Sequence, residues 1–213
     1  MTENSTLSFG LVNGRPVFMD PAHDCYFALS QKEEAEFLDK RRSRCCSPAS
    51  GRAAHDPIEI IEANPPRPAS SLLDLHAPQS ARFLQDLVRI ACLQRRVRTE
   101  LARKPIAELL CPLSLKESSD PQFRTNREIV DLSLRYFHAR KLLPFKPNCL
   151  VDTLTLGRWL GAAPRLLMIF GVKLDPFAAH CWAQLDDMVL NDRCDHVAPF
   201  QPVRVIECTR ASR

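Results

Sequence analysis

The sequence predicts an α+β protein in which strands open the chain, long helices follow, and strands close it. Residues 6–11 alternate apolar and polar side chains with the period of a half-buried strand, and residues 12–29 continue as turns and further strands. Residues 81–104 and 123–143 repeat apolar side chains at helical spacing, and residues 166–192 return to apolar strands joined by turns. Along the chain, we therefore expect one group of strands, then a group of helices, then a second group of strands.

A change of composition divides the chain into two predicted domains. Residues 44–71 carry clusters of Pro, Ser and Cys that are typical of loops and linkers. We therefore predict an N-terminal domain over residues 1–75 and a C-terminal domain over residues 76–213.

Composition and charge exclude several classes of protein. Hydrophobic residues make up 45% of the chain and charged residues 25%, as in ordinary globular proteins. The longest apolar run, residues 166–172, is too short to span a membrane, and the N-terminus lacks the pattern of a secretion signal. We therefore expect a cytoplasmic protein that does not associate with a membrane. The net charge of +4 suits an acidic peptide partner and does not require nucleic acid.

The nine cysteines are odd in number, irregularly spaced and without a Cys-x-x-Cys pair. This pattern predicts neither a disulfide framework nor a structural zinc site. Most of these thiols are expected to pack as small hydrophobic side chains. Cys194, His196 and Cys208 match no common zinc spacing, so no metal ligands are predicted.

The N-terminal elements begin with a predicted hairpin. Residues 6–11 form its first strand, and Asn13-Gly14 is a strong signal for a two-residue turn, because both positions of a type I′ turn need positive φ. Residues 17–19 continue into the second strand. Residues 25–29 form a third strand after another turn, which gives a three-stranded meander.

Three helices are predicted from caps and periodicity. Ser30 and Glu33 form the capping box of a short helix. Residues 81–104 form a longer helix that Pro105 ends, and residues 123–143 form another.

The chemistry is expected to lie between residues 147 and 192. Asn148 is a good N-cap, which places Cys149 at the first position of a buried helix. A thiolate there lies at the positive end of the helix dipole, so its pKa is lowered and it becomes a better nucleophile. Any cysteine at a helix start gains this benefit, and a buried structural thiol is the alternative reading of Cys149.

Two strands after this helix carry a histidine and an aspartate. Alternation over residues 179–185 places His180 and Trp182 on one face, with Cys181 on the other. Residues 189–192 are expected to return as the partner strand. If Trp182 pairs with Asp192, then His180 and Asp192 share a face; a slip of one residue separates them.

A cysteine nucleophile needs a base and a carboxylate that orients the base, and Cys149, His180 and Asp192 supply these groups in order. The alternative for His180 is a structural strand histidine. Three other carboxylates compete with Asp192 for the orienting role: Asp186, Asp187 and Asp195. Trp182 is expected to be core packing, and Cys181 a structural thiol.

The chain from about residue 81 to its C-terminus resembles the lasso-peptide B protein, a transglutaminase-like leader peptidase with a papain-like fold. Four motifs carry the resemblance by their order and spacing: Cys149-Leu-Val-Asp-Thr-Leu-Thr-Leu, Ile169-Phe-Gly-Val, Pro176-Phe-Ala-Ala-His-Cys-Trp and Leu190-Asn-Asp. The resemblance implies a cysteine protease with the catalytic residues Cys149, His180 and Asp192. It would remove the leader of a ribosomally made precursor peptide without a cofactor. The released core peptide would pass to a partner, an ATP-dependent, asparagine-synthetase-like cyclase that closes the macrolactam.

The N-terminal domain resembles, in length and in its opening meander, the small winged-helix-like module that recognises the leader in some members of that family. Such a module binds the leader by strand addition. The implied contact edge is the third strand, with the leader-binding residues Cys25, Tyr26, Phe27, Ala28 and Leu29.

Two other classes of function remain open, one enzymatic and one non-enzymatic. An acyltransferase or transglutaminase would use the same triad, with an amine in place of water. A non-catalytic leader-binding chaperone would carry the triad as a vestige, and a helical regulator would act through the basic helix over residues 89–104.

Overall fold

The computed structural model describes residues 7–45, 60–75, 82–115, 125–161, 163 and 165–208. The strands are β1 (Ser8–Val12), β2 (Arg15–Asp20), β3 (Cys25–Ala28), β4 (Ile61–Glu62), β5 (Ser70–Ser71), β6 (Leu166–Lys173), β7 (Ala178–Leu185), β8 (Met188–Val189) and β9 (Gln201–Glu207). The helices are α1 (Gln31–Cys45), α2 (Phe83–Leu101), α3 (Ile106–Leu115), α4 (Asn126–Leu142), α5 (Cys149–Leu160) and α6 (Cys194–Val197). The fold is a mixed α and β fold.

The N-terminal strands form a four-stranded sheet in the order β3-β2-β1-β4, so β3 is an edge strand. The predicted hairpin is confirmed: Asn13 and Gly14 have φ of 52° and 81°, as a type I′ turn requires. The Glu33 half of the predicted capping box is confirmed, because the Ser30 N–H and hydroxyl both donate to Glu33 Oε2. The N-terminal region is rich in strands, and its elements do not show a winged-helix arrangement.

The helical layer contains both predicted long helices as α2 and α4. Helix α3 was not predicted from the sequence, because Pro105 signals the end of the preceding helix. Proline is also tolerated at a helix start, where its missing N–H has no partner to lose. The carboxylate of Asp24 accepts a hydrogen bond of 2.8 Å from the Ile106 N–H at that start. This cap comes from the N-terminal sheet, 82 residues away, so a local pattern does not reveal it.

The C-terminal strands form a five-stranded sheet in the order β5-β8-β7-β6-β9. The predicted return strand over residues 189–192 is wrong beyond Val189, because β8 ends there and pairs Gln184 with Val189. Of the two registers that the sequence left open, the pairing of Trp182 with Asp192 does not occur. The side chain of Asn191 takes over from the backbone ladder and accepts a hydrogen bond of 2.8 Å from the Ala183 N–H. Strand β9 was also missed.

The two sheets pack directly against each other. Val12, Val17 and Met19 belong to the same buried core as α2, α4, α5 and β6. Gly10 of β1 lies so close to β9 that an added Cβ would be 1.9 Å from the Pro202 carbonyl oxygen. Glycine is therefore needed at this crossing of the two sheets. Among the described residues, no helix combines the length and apolar character needed to cross a membrane.

Candidate active site

Cys149 is the first residue of α5, as predicted, and its side chain is half-buried. Asn148 is the N-cap: its Oδ1 accepts a hydrogen bond of 3.0 Å from the Val151 N–H. This bond satisfies one of the free amides of the first turn and leaves the sulfur at the positive end of the helix.

Asp152 anchors the first turn of α5 to the neighbouring helices. Arg140 of α4 donates two hydrogen bonds to its carboxylate, at 2.7 and 3.2 Å, and Gln94 of α2 donates a third. The Tyr136 hydroxyl donates to the Asp152 carbonyl oxygen at 3.0 Å. Sequence analysis missed this cluster because its members lie on three helices, and no local pattern connects them. The cluster fixes the direction in which Cys149 points.

His180 lies on β7, on the face that alternation predicted. Trp182 belongs to a small core on that face, whereas Cys181 belongs to the main core on the other, so both predicted orientations are confirmed. The His180 ring stacks on Trp182 with centroids 6.0 Å apart, and Phe200 is 5.1 Å away. Gly171 of β6 lies opposite His180 in the sheet. These aromatic neighbours restrict the tilt of the imidazole.

Asp192 lies in a bend after β8, not in a strand. Its Oδ2 accepts a hydrogen bond of 2.6 Å from His180 Nε2. Its Oδ1 accepts from the Arg193 N–H at 2.8 Å, and its carbonyl oxygen accepts from Ser71 Oγ at 2.7 Å. Two of the three competing carboxylates have other partners, since Asp186 pairs with Arg165 and Asp195 with Arg193. The structure thus brings His180 and Asp192 together by a route that differs from the predicted strand pairing.

The electrostatics favour a charged thiolate and imidazolium. The hydrogen bond from His180 lowers the pKa of Cys149 against the opposing effect of burial, and the N–H groups of Cys181 and Leu150 lower it further. Burial by itself lowers the pKa of His180, but hydrogen bonds with Asp192 and Cys149 outweigh it and raise that pKa from 6.5 to about 9. Burial raises the pKa of Asp192, yet its bonds to His180 and His196 hold it below its usual value.

A second histidine also contacts the carboxylate. His196 Nδ1 donates a hydrogen bond of 2.8 Å to Asp192 Oδ2, the oxygen that His180 already uses. The two imidazole rings meet edge to face with centroids 5.0 Å apart. Sequence analysis considered His196 only as an improbable zinc ligand beside Cys194 and Cys208. The buried Cys208 donates its N–H to Leu166 at the other end of β6.

These side chains surround an open pocket of about 360 Å³. Its lining consists of Pro147, Asn148, Cys149, Asp152, His180, Cys181, Asn191, Asp192 and His196. A peptide bond can therefore reach the thiol from solvent, with the free amides of the first α5 turn beside it.

The predicted leader-binding residues lie on the edge strand β3, except Leu29, which follows it. Phe27 is partly exposed and stacks on Phe18 at 5.2 Å. Tyr26 faces the other way and meets the exposed Phe177 ring at 6.2 Å. Burial raises the pKa of Tyr26, and the nearby thiols of Cys181 and Cys149 raise it further. One side of β3 is therefore close to the pocket.

Comparison with known proteins assigns a superfamily to the region that contains this site. Residues 86–205, more than half of the chain, match the transglutaminase-like superfamily. Neither the curated proteins nor the solved structures include a significant match to this chain. The matched region contains α5, β6, β7 and the bend at Asp192, and its enzymes are generally of the cysteine peptidase or acyltransferase type. The chain belongs to the transglutaminase-like superfamily.

Proposed function

We propose that this chain is a cysteine peptidase that removes the leader from a ribosomally made lasso-peptide precursor. One observation carries the catalytic part: the Cys149 thiol bonds to His180, whose Nε2 bonds to Asp192 at 2.6 Å, beside an open pocket. This is the arrangement of nucleophile, base and orienting carboxylate that acyl transfer requires.

The proposed reaction begins with attack of the Cys149 thiolate on the carbonyl carbon of the scissile amide. Backbone N–H groups at the start of α5 stabilise the oxyanion, and His180 gives its proton to the leaving amine. His180 then takes a proton from water, which hydrolyses the thioester and regenerates the thiol. Asp192 holds the imidazole and stabilises its charged form. These reaction steps need neither a metal nor an organic cofactor.

Leader recognition is assigned to β3. An edge strand offers unpaired N–H and C=O groups, so an extended peptide adds to it as a further strand. This edge would be supplied by Cys25, Tyr26, Phe27, Ala28 and Leu29. It lies near the pocket because Tyr26 is close enough to Cys149 and Cys181 to feel their charge. The lasso-peptide assignment itself rests on the four sequence motifs between residues 149 and 192. It implies a cytoplasmic enzyme whose product passes to an ATP-dependent cyclase.

The deciding experiment incubates the precursor peptide encoded beside this gene with wild type and with Cys149→Ala, and reads intact masses. Cleavage at one bond by wild type alone is the expected result. A parallel reaction with an added amine separates hydrolysis from acyl transfer, because an acyltransferase adds the mass of the amine to the product. Binding of the precursor without cleavage, even with the cyclase and ATP present, would contradict the proposal and favour a leader-binding protein.

A further inference from the structure

Three side chains form a compact set of metal-binding donors at the edge of the pocket. His180 Nε2 and His196 Nδ1 lie 2.6 and 2.8 Å from the same oxygen, Asp192 Oδ2. The three donor atoms all lie within 4.8 Å of one another. His180 precedes Asp192 by 12 residues, and His196 follows it by 4. This spacing matches no common zinc motif, so the sequence does not reveal the set.

Cys149 lies outside this donor set. His180 uses Nε2 toward Asp192, so the hydrogen bond with Cys149 falls to Nδ1, on the opposite edge of the ring. The side chain of His196 is 61% exposed, which gives an entry path from solvent. A cation held by these three donors would therefore keep an open fourth position toward the pocket.

We propose that His180, Asp192 and His196 form a reversible inhibitory site for Zn²⁺. Two imidazole nitrogens and one carboxylate oxygen are ligands that suit Zn²⁺, and three protein ligands plus water complete a tetrahedron. Ca²⁺ and Mg²⁺ prefer sites made of oxygen atoms alone, so they are expected to bind poorly. The binding stands on geometry alone, whereas its inhibitory consequence rests on the proposed peptidase function.

Binding changes protons but no electrons. The His180 Nε2 proton leaves to solvent, and the proton on His196 Nδ1 is replaced by one on its exposed Nε2. His180 then keeps its Nδ1 proton, which continues to stabilise the Cys149 thiolate. It no longer serves as the acid, because loss of that proton would leave a costly imidazolate. The thiolate therefore remains reactive while peptide turnover stops.

The binding test uses the full-length Cys149→Ser protein titrated with Co²⁺ and Zn²⁺ alone. Co²⁺ is expected to give visible bands of a site with nitrogen and oxygen ligands, without thiolate charge transfer. His196→Gln should weaken binding at least about tenfold. His23→Gln is the matched control, because His23 Nδ1 also bonds a carboxylate, Asp20 Oδ2, at 2.7 Å, but without a second imidazole. It should leave the affinity unchanged.

A second variant keeps the binding test decisive even if His196→Gln perturbs the fold. Asp192→Asn keeps the shape of the side chain and removes the charged ligand, and it should also weaken binding. Circular dichroism checks that each variant is folded. Equal affinity in Cys149→Ser alone and in Cys149→Ser combined with His196→Gln or Asp192→Asn would overturn the site, and so would a spectrum dominated by thiolate ligation.

The inhibition test compares peptide cleavage with alkylation of Cys149 by iodoacetamide. Zn²⁺ should stop cleavage by wild type, chelation should restore it, and alkylation of Cys149 should persist. Inhibition of His196→Gln is measured against its own metal-free rate and should need at least about tenfold more Zn²⁺. Loss of alkylation would place the metal on the thiolate and overturn the proposal. Absence of cleavage without metal would count against the peptidase function, while the Co²⁺ titration still decides the site.

Discussion

The side-chain amide of Asn191 donates a hydrogen bond of 2.8 Å to Thr153 Oγ1 and thereby connects two parts of the active site. Thr153 in turn donates to the Cys181 carbonyl oxygen at 3.0 Å. Thr153 follows Cys149 on α5, Cys181 follows His180 on β7, and Asn191 precedes Asp192. One buried network thus sets the relative positions of all three proposed catalytic groups.

Thr153→Val should disturb this network while preserving the shape of the side chain. The substitution leaves the Cys181 carbonyl oxygen and the Asn191 amide without their partner, which is expected to cost about 1–3 kcal/mol of unfolding free energy. Urea denaturation measures that loss, and cleavage assays should show a reduced kcat. Thr155→Val is the matched control, since the equally buried Thr155 hydroxyl bonds the Val151 carbonyl oxygen of its own helix and the Tyr136 hydroxyl of α4, but neither β7 nor the Asp192 bend. A larger loss of kcat in the control would contradict a positioning role for Thr153.

Cys149 should react faster at pH 7 than an unperturbed cysteine because its pKa is lowered, chiefly by His180. Its alkylation by iodoacetamide in the presence of a chelator should decline only as the pH falls through that lowered pKa. In His180→Gln the stabilising imidazolium is gone and burial remains, so the pKa of Cys149 rises and alkylation at pH 7 slows. Each pKa unit of that rise removes about tenfold of the thiolate.

Peptide mapping provides the internal reference for this measurement, because Cys92 on α2 is exposed and distant in sequence from the site. Its alkylation should be the same in wild type and in His180→Gln. Equal reactivity of Cys149 in the two proteins would show that His180 does not stabilise the thiolate.

Asp192→Asn should lower kcat by about 10⁴-fold, because the amide no longer holds the imidazole in the required tautomer. The pKa of His180 is raised to about 9 in part by the bond to Asp192, so activity that needs protonated His180 is lost as the pH rises through that value. In the variant this alkaline limb should move to lower pH. Asp195→Asn removes an exposed carboxylate that pairs with Arg193, and its pH–rate profile should match wild type.

Gly171→Ala should destabilise the sheet beside His180. An added Cβ would lie 2.8 Å from the Trp182 ring and 3.0 Å from the Phe200 side chain, so the rings that flank His180 must move. Overpacking of this kind costs about 1–3 kcal/mol. Thermal unfolding followed by tryptophan fluorescence measures the change. Gly10→Ala should cost more, because the atom it meets belongs to the Pro202 backbone; the reverse order would contradict this packing argument.

The sequence by itself determined the elements whose causes lie within a few residues. The Asn13-Gly14 turn, the Ser30–Glu33 capping box and the Asn148 cap follow from local conformational preference and local hydrogen bonds. Helical and strand periodicity likewise predicted α2, α4, α5, β6 and β7, because each element must bury one face. The same local patterns placed Cys149 at a helix start and His180 on a strand, before any contact between them was known.

Only the tertiary structure decided how those residues meet. Asp192 reaches His180 from a bend, since the Asn191 side chain ends the strand pairing that sequence had suggested. The Asp24 cap on α3 and the contact between Gly10 and Pro202 join segments far apart in the chain. The bond from Arg140 of α4 to Asp152 of α5 likewise joins two separate helices. Local patterns carry no information about such partners, because a hydrogen bond between distant segments depends on the packing that brings them together.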